Sequence, residues 1–134
     1  LTREWEMFGS FMWMPIAVID VAAPGNGVEA QGDRPSLTPV FSGTFWNTYQ
    51  IAPKWRLGAG LNFRGAQTPN RNPGWEVPGY ATVDLMAEYA FNEKFLLKGY
   101  VTNVANKLYA NDLYSGHYIP GVGRLFQLTG TMRF

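Results

Sequence analysis

Two-residue alternation between apolar and polar side chains recurs along this sequence, and it constrains the fold more than any other feature. Over Trp55 to Arg64, Trp55, Leu57, Ala59, Leu61 and Phe63 oppose Arg56, Gly58, Gly60, Asn62 and Arg64. Only an extended strand puts successive side chains on opposite faces, so such a stretch predicts a strand with one apolar face. Similar alternation marks Trp5 to Trp13, about Val40 to Ile51, Tyr80 to Phe91, a strand starting at Phe95, and Phe126 to Phe134. Asn47 interrupts the apolar side of the second.

The connections alternate as well. APK and NEK are short turns. AAPGNGVEAQGDRP, GAQTPNRNPGWEVPG and the stretch from about Asn106 to Gly123 are long, and the first two are rich in Pro, Gly or Asn. Six strands therefore meander with tight turns at one end and large loops at the other, the asymmetry of an outer-membrane barrel. Strands of about ten residues fit a tilted crossing of the hydrocarbon layer. Aromatics lie near strand ends, at Trp5, Trp13, Trp55, Tyr89, Phe91, Phe95 and Phe134, where interfacial girdles sit.

Composition narrows the partners. Charged residues make up 16% of the 134 residues, against roughly 25% in soluble domains. The net charge of +1 gives no electrostatic case for nucleic acid. Without cysteine and with His117 as the single histidine, neither a thiolate site nor a multi-histidine metal site can form within the chain. No cofactor is expected. The apolar run Phe11 to Ile19 contains Pro15 and is shorter than the ~20 residues of a membrane helix. A soluble sandwich would also alternate, but the polar faces here carry Thr, Gln, Gly, Asn and Ser with few Lys or Glu, which suits a lumen.

Four stretches resemble one family. YQIAPKWRLGAGLNFRG, VPGYATVDLMAEYAFNEKFLL, VTNVANKLYAN and HYIPGVGRLFQLTGTMRF are similar, in order, to the late barrel strands of TonB-dependent siderophore receptors. The last two lean toward the catecholate branch. Val104 stands where Leu is commoner in the V-x-N-L-x-(N/D)-K-x-Y motif. The resemblance implies an all-β antiparallel meander of about six transmembrane strands, residues 1–134 being the C-terminal part of a barrel of about 22 strands. The plug domain and upstream strands would be absent.

By the same resemblance the parent imports a ferric siderophore across the Gram-negative outer membrane. The long loops would be extracellular, and the short turns and C-terminus periplasmic. The TonB complex would act through the missing plug and TonB box, and the barrel would sit in the lipid bilayer. The barrel-assembly machinery would read the last strand, with Phe126, Leu128, Met132 and Phe134 as the insertion signal. Six strands cannot close a barrel, so transport by this chain alone is not expected.

No catalytic constellation appears. Asp84 and Glu88, four residues apart on one face, stand about 13 Å apart, too far to cooperate, and lumen polarity is their simpler role. Arg124 is expected to face the lumen and pair with a carboxylate. The glycines of GAGLNFRG relieve crowding in a curved wall. Ligand contacts are expected in the loops: Arg64 and Arg71 for anionic oxygens and ring stacking, and Trp75, Tyr109, Tyr114, His117 and Tyr118 for flat contact area. Other readings are a structural or adhesive outer-membrane barrel, a transporter of haem, cobalamin or glycan, and a soluble all-β binding module.

Overall fold

The computed structural model describes residues 4–22, 29–72 and 74–134. Part of the first expected loop, residues 23–28, and Pro73 in the second lie outside the described residues. The strands are β1 (Trp5–Trp13), β2 (Phe41–Ala52), β3 (Trp55–Arg64), β4 (Tyr80–Ala90), β5 (Phe95–Thr102), β6 (Ala110–Leu113), β7 (Tyr118–Pro120) and β8 (Leu125–Met132). Six form one antiparallel sheet in the order β1-β2-β3-β4-β5-β8, and β6 and β7 form a separate hairpin. Pro53 and Lys54 alone join β2 to β3. In the other tight turn, Asn92 Oδ1 accepts hydrogen bonds from the backbone N–H groups of Lys94 and Phe95, both at 2.9 Å, an Asx-type turn.

The last expected loop is a correction. The stretch about Asn106 to Gly123 contains β6 and β7, which extend the β5–β8 pairing toward the loop end. Between the two paired regions the ascending arm has seven residues, 103–109, and the descending arm four, 121–124. The surplus is taken up by turns at Asn103 (φ 48°) and Asn106 (φ 52°), the left-handed conformation that asparagine tolerates best among residues with a Cβ.

Burial is inverted relative to a water-soluble sheet. Among the described residues, Met86 and Leu113 are the only buried hydrophobic side chains. The buried polar ones include Thr48, Thr82, Asp84 and Asn103. Phe45, Tyr49, Leu57, Leu61, Val83, Leu85, Phe126 and Leu128 are exposed, all on one face by strand register. From β2 to β8 that face carries no charged side chain. Aromatic clusters bound it at both ends. Trp55–Tyr89, Tyr89–Phe91 and Phe91–Phe95 lie 4.7, 4.7 and 5.1 Å apart at the turn end. At the loop end Phe63 meets Phe11, Phe41 and Phe45 at 6.2, 6.2 and 6.1 Å. An apolar wall between two aromatic girdles is the outer surface of a membrane barrel.

The opposite face is concave. Trp46 on β2 and Tyr100 on β5 stack with centroids 5.6 Å apart, although β3 and β4 lie between them. Three strand spacings separate their backbones by about 14 Å, so the rings converge over the intervening strands. Gly60 makes that possible: a Cβ there would collide with the Trp46 ring.

Candidate functional site

Side chains of the inner face organise the loop end. Asp84, buried on β4, accepts hydrogen bonds from Asn103 N–H at 2.7 Å, Asn62 Nδ2 at 3.1 Å and the Tyr100 hydroxyl at 3.4 Å. Asn103 is 1% exposed. Its Nδ2 donates to the carbonyls of Lys107 (2.8 Å) and Val122 (3.0 Å), and its Oδ1 accepts from Lys107 N–H (2.9 Å). Asn106 Oδ1 accepts from Arg124 N–H at 2.9 Å. One knot thus joins β4, the end of β5 and the entry to β8, and fixes how the hairpin leaves the sheet. Satisfying every polar atom of a buried amide makes that geometry expensive to leave.

From this knot the hairpin leans over β3 and β4. The Arg64 guanidinium lies 6.0 Å from the Tyr80 ring centre, and the Tyr80 and Tyr109 rings stack at 4.2 Å. Tyr109 rests against Gly121, where a Cβ would enter its ring. Arg64 Nη1 also donates to the Asn111 carbonyl at 3.2 Å. Burial raises the Tyr109 phenol above its ordinary pKa, and the nearby Tyr80 and Asp84 add to the shift. Gly79 lets the second loop return closely, since a Cβ there would stand 2.5 Å from the Arg64 carbonyl oxygen.

The three long loops knit together above. Leu37 N–H donates to Thr68 O at 3.0 Å, Arg71 N–H to Ser36 Oγ at 3.2 Å, and Asn72 Nδ2 to Ser115 O at 3.1 Å. Two cavities lie among them. One of about 300 Å³ is lined by Trp75, Leu113, Tyr114, His117 and Tyr118. The other, about 450 Å³, is bordered by Leu37, Arg64, Gln67, Asn111 and Tyr114. The Tyr114 and His117 rings stack at 4.7 Å, 8° from parallel.

Of the seven loop residues expected at a ligand site, Trp75, Tyr114, His117 and Tyr118 converge on the smaller cavity. Arg64 borders the larger one while holding the hairpin. Tyr109 lies in the ring stack, and Arg71 enters the loop contacts through its backbone at φ 55°. Asn111, Leu113 and Tyr80 were not singled out. Tyr80 lies in the V-P-G-Y stretch and Asn111 closes the VTNVANKLYAN stretch, whereas nothing in the sequence marked Leu113. Among the described residues Arg124 makes no ion pair, the one present being Arg56–Glu6 at 3.3 Å. Phe126, Leu128, Met132 and Phe134 are all exposed, and the first three lie on the outward face.

Comparison with known proteins agrees with this geometry. A family model described as TonB dependent receptor-like, beta-barrel matches residues 1–104. The probable TonB-dependent receptor BfrD of Bordetella pertussis is 27% identical over 139 residues, covering 96% of this chain and 18% of that protein. The metal-pseudopaline receptor CntO of Pseudomonas aeruginosa is 26% identical, covering 100% of this chain and 19% of CntO. The crystal structure of the ferric-catecholate import receptor Fiu from E. coli K12, closed form, superposes with a TM-score of 0.85 at 23% identity, over 100% of this chain and 19% of Fiu. The chain thus spans about a fifth of the length of the curated relatives it matches. With its family model matched over most of its length and its sheet superposing on a receptor barrel, the chain belongs to the TonB-dependent receptor β-barrel family.

Proposed function

We propose that this chain is the C-terminal part of the barrel of a Gram-negative outer-membrane receptor that imports a ferric siderophore, coupled to the TonB complex through a plug and TonB box outside this sequence. Its loop end faces the medium, and its turns and C-terminus face the periplasm. The observation that carries the reading is the pairing of a charge-free outer wall with a loop end whose aromatic side chains converge on one cavity. Trp75, Tyr114, His117 and Tyr118 present flat rings, suited to an aromatic iron-chelating group, and Arg64 lies at the adjoining cavity for its negative charge. That chemistry favours a catecholate cargo, in line with the name of Fiu.

The unpaired edges of β1 and β8 support membership in a larger barrel, because an open edge in lipid leaves backbone groups unsatisfied. The exposed Phe126, Leu128, Met132 and Phe134 give the assembly machinery an apolar strand to read.

Deleting the gene should abolish high-affinity uptake of a radiolabelled ferric catecholate under iron limitation, and the full-length gene should restore it. A Trp75→Ala/Tyr114→Ala double variant, present in the outer membrane at normal levels, should bind the ferric catecholate at least tenfold more weakly. Unchanged affinity would remove this cavity from the ligand path.

A further inference from the structure

The outer wall is not smooth. A groove of about 780 Å³ crosses it from β2 to β8. It follows two ladder rows, Tyr49–Leu57–Ala87–Gly99–Leu128 and Asn47–Ala59–Leu85–Val101–Phe126. Small side chains at Ala59, Ala87 and Gly99 form its floor.

The groove slants through the apolar band. At β1 the girdle residue Trp5 is in register with Tyr49, in the row itself. At β5 the girdle residue Phe95 stands four residues below Gly99. The groove therefore starts beside the turn-end girdle and climbs toward the loop end. Five strands about 4.8 Å apart span about 19 Å. With strands tilted by roughly 40°, that is a climb of about 12 Å, half of the ~25 Å apolar band. One acyl chain of one leaflet has that reach.

A second observation concerns Asn47, the residue that interrupts the apolar alternation. It faces outward at the girdle end of the groove. Its Oδ1 accepts from Trp5 Nε1 at 3.0 Å, which fixes the amide orientation. Among the described residues its Nδ2 has no hydrogen-bond partner. An amide donor turned toward hydrocarbon is costly unless something accepts from it. Asn47 and the Tyr49 hydroxyl are the only polar side-chain groups on the outward lining, and both lie at this end.

We propose that the groove binds one diacyl glycerophospholipid of the turn-side leaflet. An ester carbonyl accepts from Asn47 Nδ2, and one acyl chain lies over Ala87 and Gly99 toward Phe126. The site rests on the reading of this chain as part of a membrane barrel.

The test is native mass spectrometry of the full-length receptor titrated with dimyristoyl phosphatidylethanolamine. Two variants accompany the wild type. Gly99→Leu fills the floor, and its backbone tolerates a Cβ, which would meet only the Ala87 carbonyl oxygen at 3.9 Å. Asn47→Leu removes the amide. The wild type should retain one lipid that Gly99→Leu binds at least tenfold more weakly and Asn47→Leu about fivefold more weakly. Equal retention by all three inserted proteins overturns the lipid site and leaves the barrel reading intact. A receptor dimer abolished by Gly99→Leu overturns it in favour of self-association. A wild-type receptor that does not fractionate with the outer membrane overturns the barrel reading itself, and the site with it.

Discussion

The two faces of these strands are built from the same backbone and solve opposite problems. On the inner face, polar atoms find partners within the protein: Asp84 takes three donors and Asn103 three further hydrogen bonds through its side chain. On the outer face, side chains are apolar and uncovered, and the polar exceptions along the groove, Asn47 and Tyr49, sit near a girdle. The inner face is stabilised by what it bonds to, the outer face by what it excludes. Substitutions should therefore fail for different reasons on each side.

The largest effect belongs to the inner knot. Asn103→Ala leaves the Lys107 and Val122 carbonyls and an amide N–H without their partner, and should cost about 3 kcal/mol in denaturant unfolding of the full-length receptor. A loss below about 1 kcal/mol would mean that solvent replaces those bonds. Next comes a charge placed on each face in turn. Leu85→Arg on the outer face should cost about 2 kcal/mol in lipid, whereas Gln127→Arg on the inner face should cost under about 0.5 kcal/mol. Equal costs would erase the distinction between the faces.

Gly60→Leu sharpens the comparison by testing packing without charge. It should cost about 1–3 kcal/mol as the Trp46 ring is displaced from Tyr100, seen as a change in tryptophan fluorescence. The smallest effect lies in the first loop. Glu29 Oε1 accepts from Ser36 N–H at 2.8 Å, and hydrogen bonding from the Ser36 hydroxyl, then from that N–H, holds the Glu29 carboxyl below its ordinary pKa. Because the folded pKa is the lower one, the contact is intact above the ordinary carboxylate pKa and is lost as pH falls through the folded value. Protection of the Ser36 amide, corrected for the intrinsic exchange rate, should fall below that point and stay flat above it.

The strands were legible because period-two alternation is imposed residue by residue. β3 spans Trp55 to Arg64 as expected, and the other paired strands end within a residue or two of the expected limits. The β6–β7 hairpin was not legible. Its strands have four and three residues, too few for a period to show, and tertiary contacts to Arg64 and Tyr80 hold it. Residue type singled out Trp75, Tyr114, His117 and Tyr118, which line one cavity because rings in neighbouring loops tend to pack together. The same reasoning could not foresee that Arg64 and Tyr109 serve the hairpin, since that depends on register between strands. Asn103 lay inside a recognised motif, but its role required knowing that the loop's arms differ in length.

Asp84 and Asn103 belong to two different motifs, nineteen positions apart, yet they form one hydrogen-bonded unit. Loop exchange between related receptors is the practical consequence. A crossover placed between positions 84 and 103 would draw the two halves from different parents and leave the hairpin aimed by a mismatched pair. Grafts that carry both residues together, from Tyr80 through Leu125, would transplant the hairpin with its own anchor. A library built on that boundary should yield more folded chimeras than one cut at the loop's visible ends.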